Sequence, residues 1–127
     1  AWILDELERR LAQTDRLEQA WRRVADLRGE LAGARLLSLR AADLLDRGEP
    51  AAAASAMAKL AGARLAQRLA WEAVDLLGLD GLSDADLMAP LAGRVGALYR
   101  ASVGSTISGG SAEILQVVIA RRGLGLQ

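Results

Sequence analysis

Apolar residues recur every three or four positions along most of the chain. Leu17, Trp21, Val24, Leu27, Leu31, Ala34, Ser38, Ala41 and Leu45 form one such series, the period of one face of an α-helix. It predicts a helix from about 16 to 47, stopped by Gly48 and Pro50. Asp15 and Glu18 have the spacing of a capping box at its start, and Glu18–Arg22 and Arg22–Asp26 can pair at i, i+4. Past Ala34 the apolar face widens to take in Leu36, Leu37 and Leu39, which predicts packing on two sides. A second series through Met57, Leu60, Ala61, Leu65, Leu69 and Leu76 predicts a helix from about 51 to 78, ended by Gly78 and Gly81. Ser83 and Asp86 mark a short helical turn, and Pro90 suits the first position of a helix over about 90–104. A last helix runs from Ser111 or Ala112 to about Arg122, with Arg121 and Arg122 in its final turn. Upstream, the row Ile3, Leu7, Leu11 reads as the last turns of another helix.

No segment alternates as a strand does. The expected fold is all-α: an up-and-down four-helix bundle over residues 13–127, preceded by the end of an upstream helix over 1–12. The chain opens Ala1-Trp2-Ile3-Leu4 in a helical pattern with no cap and no initiator Met, so it is expected to be part of a longer polypeptide.

Composition narrows the chemistry. The 127 residues carry 16 basic and 16 acidic side chains, with no Cys and no His. Disulfides, thiol nucleophiles and imidazole bases or metal ligands are therefore absent. A proton acceptor must be a carboxylate, Tyr99, the single lysine Lys59, or part of a cofactor. The balanced charge gives no reason to expect nucleic acid or an anionic membrane as partner. No apolar run reaches the ~18 residues of a membrane span, no secretory signal is visible, and a cytoplasmic location is expected.

The most informative segment is Thr106-Ile107-Ser108-Gly109-Gly110-Ser111, between a helix carrying Arg100 and the last helix. A turn so poor in side chains lets a ligand approach the backbone. The helix start behind it offers free N–H groups and partial positive charge. The same glycines also read as a bare tight turn, and Glu113 as a residue favoured in any first helical turn. Arg100 reads as an ion-paired helix residue, Asp75 as solvated or paired, and Lys59 and Tyr99 as structural. Trp2, Trp21 and Trp71 read as core or interface.

With these residues in view, the chain resembles the C-terminal helical domain of the acyl-CoA dehydrogenase family. The resemblance rests on Arg100, on Thr106-Ile107-Ser108-Gly109-Gly110-Ser111-Ala112-Glu113-Ile114, and on Ile119-Ala120-Arg121-Arg122-Gly123-Leu124-Gly125-Leu126, which together are similar to the family's closing signature. Met57-Ala58-Lys59-Leu60, Ala66-Gln67 and Trp71-Glu72-Ala73 add to it. The resemblance implies a flavoenzyme in which FAD takes a hydride from Cβ of an acyl-CoA thioester while a carboxylate removes the α-proton. The product is a 2-enoyl-CoA, and electron-transfer flavoprotein is the acceptor. It further implies a three-domain chain assembled as a dimer or tetramer, in which this domain supplies one wall of the site.

Carried over by position, Gly110 falls where the thioester end of the substrate meets the backbone, and Ser111, Ala112 and Glu113 fall where FAD is contacted. Asp75, Leu76, Leu77, Gly78 and Leu79 fall where the FAD of a neighbouring subunit is held. Family members often carry Gln and then Gly-Gly there; this chain has Asp75 and only Gly78 of the pair. Many members place the catalytic Glu where this chain has Gly109, so no catalytic residue is assigned, and others place it on an upstream helix. The family's Arg-x-x-Phe-Gly motif is replaced by LAQTDR over Leu11 to Arg16. These departures keep open a second function, a non-catalytic partner subunit or helical assembly module, and an acyl-CoA oxidase is a third. The apolar face at Leu36, Leu37 and Leu39 predicts self-association.

Overall fold

The computed structural model describes residues 2–12, 17–83 and 90–126, and among these it contains helices and turns but no strand. Five α-helices follow one another: α1 (Trp2–Leu11), α2 (Leu17–Asp46), α3 (Ala52–Leu77), α4 (Arg94–Ser105) and α5 (Ala112–Gly123). Short 3-10 turns cover Gly78–Leu82 and Pro90–Gly93. At 1.5 Å per residue α2 is about 45 Å long. α3 is the central element and packs on α2, α4 and α5, while α1 lies against α2. The all-α bundle expected from the sequence is the observed architecture.

Helix bounds follow the periodicity closely, with one correction. The segment expected to be helical from about 90 becomes α-helical only at Arg94, because Leu91 (φ 58°) and Gly93 (φ 73°) take left-handed backbone conformations. Such a residue breaks the i→i−4 ladder, and glycine adopts it most readily. Asp15 of the expected capping box, and Asp86, lie outside the described residues.

The main hydrophobic cluster joins four helices. Leu4, Leu7 and Leu11 of α1 meet Ala20, Val24 and Leu27 of α2, Leu65 and Ala73 of α3, and Val95 of α4. In α1 the buried row is Leu4, Leu7, Leu11, with Ile3 at its margin. Full burial of leucines such as Leu4, Leu7 and Leu27 stabilises the fold by about 1.5–3 kcal/mol each. The tryptophans are not core residues: Trp2, Trp21 and Trp71 are 49 %, 56 % and 53 % exposed. The Arg94 guanidinium lies 5.1 Å from the Trp2 ring centroid, tying α4 to α1.

Charged side chains bridge the helices around this core. Arg28 donates to Asp5 and Glu8 at 2.6 Å each, and Arg23 donates to Asp75 at 2.7 Å and also pairs with Glu72. Arg68 pairs with Glu30. The expected Arg22–Asp26 pair is not among the ion pairs of the described residues; its neighbour Arg23 faces α3 instead. Beyond Ala34 the packing thins. Leu36, Leu39 and Leu45 are exposed, and α5 has no buried residue. The second apolar side of α2 is uncovered among the described residues.

Candidate functional site

The corner between α4 and α5 is built from small side chains that turn back on their own backbone. Near the end of α4, Ser102 Oγ donates to Tyr99 O (2.8 Å), Ser105 Oγ to Ser102 O (2.6 Å) and Thr106 Oγ1 to Val103 O (2.7 Å). These bonds occupy carbonyls in the last turns of the helix, where intrahelical partners run out. The chain then closes through Ser108 N→Gly104 O (3.0 Å) and Gly110 N→Ile107 O (3.3 Å). Gly109 and Gly110 have φ of 77° and 111°, which side-chain-bearing residues adopt only with strain.

Lys59 reaches this corner from α3. Its Nζ donates to Ser105 O at 2.9 Å. Its Cε lies 3.3 Å from the point where a Cβ on Gly109 would stand. Leu115 backs Gly110 in the same way, at 3.5 Å. The corner is therefore supported from within by Lys59 and Leu115, while Ile107, Ser108 and Gly109 are exposed on its outer side.

Ser111 stands at the N-cap position of α5, and its carbonyl accepts the first helical bond, from Leu115 N (3.0 Å). Its hydroxyl makes no cap bond. Instead it donates to the Glu113 carboxylate, and with Glu113's own backbone N–H it holds that carboxyl below its ordinary value of 4.5. Glu113 is thus an ionised, exposed group at the corner, in the helical turn where a negative charge is favoured.

The second set of sequence-derived residues lies elsewhere. Asp75, Leu76 and Leu77 close α3, Gly78 follows with φ 64°, and Leu79 is 87 % exposed. Asp75 lies 16 residues beyond Lys59 on the same helix, about 24 Å along its axis. The corner and the α3 terminus therefore stand at different places along α3 within one copy of the chain. Asp75 is not an isolated charge, because Arg23 is bonded to it.

Arg100 serves the scaffold. Its Nη1 lies 3.4 Å from the position of a Cβ on Gly96, a point also 3.3 Å and 3.5 Å from the Leu82 and Gly81 carbonyl oxygens. The guanidinium folds back over α4 toward the 78–82 turn. Tyr99 is partly exposed and lends its carbonyl to Ser102. A groove of about 560 Å³ between α2 and α3 around Ala34, Leu37 and Leu65 does not include the corner. No His/Cys/Asp/Glu cluster among the described residues has the geometry of a metal site, and none of the described helices is long and apolar enough to cross a membrane.

The sequence did not reveal the roles of Lys59 and Arg23. Each acts on a residue 46 to 52 positions away, so neither leaves a local pattern. The available signals were that Lys59 is the single lysine and that Asp75 needed a counter-charge.

Comparison with known proteins supplies the remaining context. Residues 7–124 match the family model described as acyl-CoA dehydrogenase, C-terminal domain. No curated protein matches the chain. A solved structure, the crystal structure of the ChsE4-ChsE5 complex from Mycobacterium tuberculosis, superposes with a TM-score of 0.81 at 23 % sequence identity. The match covers 98 % of this chain and 35 % of that one, so the chain spans about a third of its length.

Proposed function

Because the chain belongs to the acyl-CoA dehydrogenase family through its C-terminal domain, we propose that it forms one wall of a flavin and thioester site in a longer dehydrogenase. The reaction is α,β-dehydrogenation of an acyl-CoA to a 2-enoyl-CoA. FAD, when bound, would supply hydride acceptance from Cβ, with electron-transfer flavoprotein as the onward acceptor. The observation that carries this reading is the exposed double-glycine corner in front of α5, with Gly109 and Gly110 both at positive φ.

This chain's own contribution is positional. Gly110 offers backbone without a side chain to the thioester end of the substrate. Ser111, Ala112 and Glu113 present the start of α5, whose N–H groups and dipole favour a polar or anionic partner. Gly109 holds no proton acceptor, so on this reading the α-proton is removed by a carboxylate at another position. Residues 75–79 face the flavin of a neighbouring subunit, and Arg23 offsets the charge of Asp75 that would otherwise repel a pyrophosphate. The fit is to one wall only, and the rest of the site comes from other domains and subunits.

A second reading, a base-less partner subunit in a mixed assembly, draws on Gly109 and on the Lys59 stem that backs it. One experiment separates the two. The full-length protein is purified alone and with a co-expressed homologue, and its visible flavin absorbance and bleaching by acyl-CoAs are recorded. Bound flavin that bleaches in the protein alone supports the dehydrogenase. Bleaching only in the mixed complex selects the partner subunit. A colourless protein that takes up no FAD in either preparation removes both.

A further inference from the structure

Lys59 is the single lysine of the chain, half-buried on the side of α3 that meets the corner. Two observations tie it to both sides of the turn. Its ammonium donates at 2.9 Å to the carbonyl of Ser105, the last residue of α4. Its Cε fills the space beside Gly109, 3.3 Å from where a Cβ would be. A slender methylene stem and a compact three-donor head suit this pair of contacts, which a forked, planar guanidinium matches less well. The charge is met by the carbonyl end of α4, where a cation is favoured. A cleft of about 370 Å³ that includes Lys59 and Ser105 keeps the ammonium within reach of water, which limits its desolvation cost.

We propose that Lys59 is a positioning residue for the glycine corner: one side chain from α3 sets where α4 ends and where the 109–110 backbone stands. The positive φ favours glycine at 109, and the lysine stem beside it adds a second, softer restriction. It also couples the two residues, since any side chain at 109 pushes on the group that holds Ser105. That the corner so placed is a flavin and thioester wall rests on the function proposed above; the clamp itself does not.

The test is made on the full-length protein, comparing wild type with Lys59→Met, which keeps the stem and loses the donor, and Lys59→Arg, which keeps a donor. Amide hydrogen exchange is followed at residues 106–111 and, as a control, at the core positions 65–73. The expected result is exchange about tenfold faster at 106–111 in Lys59→Met, as for loss of one hydrogen bond to a charged group. The control amides stay unchanged, and Lys59→Arg restores most of the protection. In the flavin-loaded protein the same Lys59→Met change raises KM for an acyl-CoA several-fold more than it lowers kcat. Unchanged exchange at the corner, or equal acceleration at the corner and the core, overturns the clamp. A wild-type protein that holds no flavin overturns the functional setting, while the exchange measurement still decides the role of Lys59.

Discussion

Gly96 and Gly29 are both helical glycines, and the structure separates them completely. A Cβ on Gly96 would stand 3.3 Å from Leu82 O, 3.4 Å from Arg100 Nη1 and 3.5 Å from Gly81 O, two of which are backbone atoms that cannot swing aside. A Cβ on Gly29 would meet nothing within 4 Å. Gly96→Ala is expected to cost about 1–3 kcal/mol by overpacking, and Gly29→Ala to gain up to about 1 kcal/mol from helix propensity; urea denaturation of the two variants measures both. At the corner, on the proposed reading, Gly109→Glu puts a carboxylate where the resemblance places the family's base, and it is expected not to restore proton abstraction. The backbone strain of the positive φ adds about 1–2 kcal/mol, and the Lys59 ammonium beside it favours the ionised, weakly basic carboxylate. Deuterium wash-in at the acyl-CoA α-carbon in heavy water checks this, and a large gain over wild type would contradict it. Gly109 and Gly110 stood out in the sequence because they are adjacent in a short stretch of small residues. What Gly109 touches was not legible there, because Lys59 comes from another part of the chain.

At the level of elements, the clasp between α1 and α2 is the most exposed to pH. Hydrogen bonding from Arg28 holds the Glu8 carboxyl below its ordinary value of 4.5, outweighing burial and the nearby Asp5. Because the folded-state value is depressed, the stabilisation is fully present above the ordinary value. It is lost as pH falls through the folded one. The melting temperature is therefore expected to fall as pH drops from about 6 to about 3, and Arg28→Met should make that fall shallower, as read by circular dichroism. Helices α2 and α3 could be read from the sequence because apolar period, Gly48, Pro50 and Gly78 are local signals. The start of α4 could not, because Pro90 promised a helix that the left-handed Gly93 delays. Of the i, i+4 pairs expected on α2, Arg22–Asp26 is not formed among the described residues, and the ion pairs of Arg23 and Arg28 run between helices, to carboxylates on α3 and α1.

At the scale of the whole molecule, the large buried side chains are concentrated in one cluster. Leucines of α1 and α2 form the core cluster with Leu65, Ala73 and Val95, while Leu36, Leu39 and Leu45 of α2 and Ile114 and Val117 of α5 are exposed. Exposed apolar surface of this kind is the type that protein–protein contacts cover. Self-association at about micromolar concentrations is the expected outcome, with Leu36→Glu and Leu39→Glu together shifting sedimentation toward the monomer. A wild-type chain that sediments as a monomer at such concentrations would count against it. Leu37, grouped with these two by the sequence, instead borders the groove against α3. A single sequence shows that a face is apolar; whether its cover comes from the same chain depends on how the helices are laid out.

α3 runs unbroken from Ala52 to Leu77, with the lysine clamp toward its start and the Asp75–Leu79 segment at its finish. On the proposed reading these two places serve different flavins, which makes α3 a spacer bar between two catalytic centres. Inserting one alanine near Gly62 would advance the far end by about 1.5 Å and rotate it by about 100°. Every contacting residue would survive, and cofactor retention would still fail at the neighbouring centre.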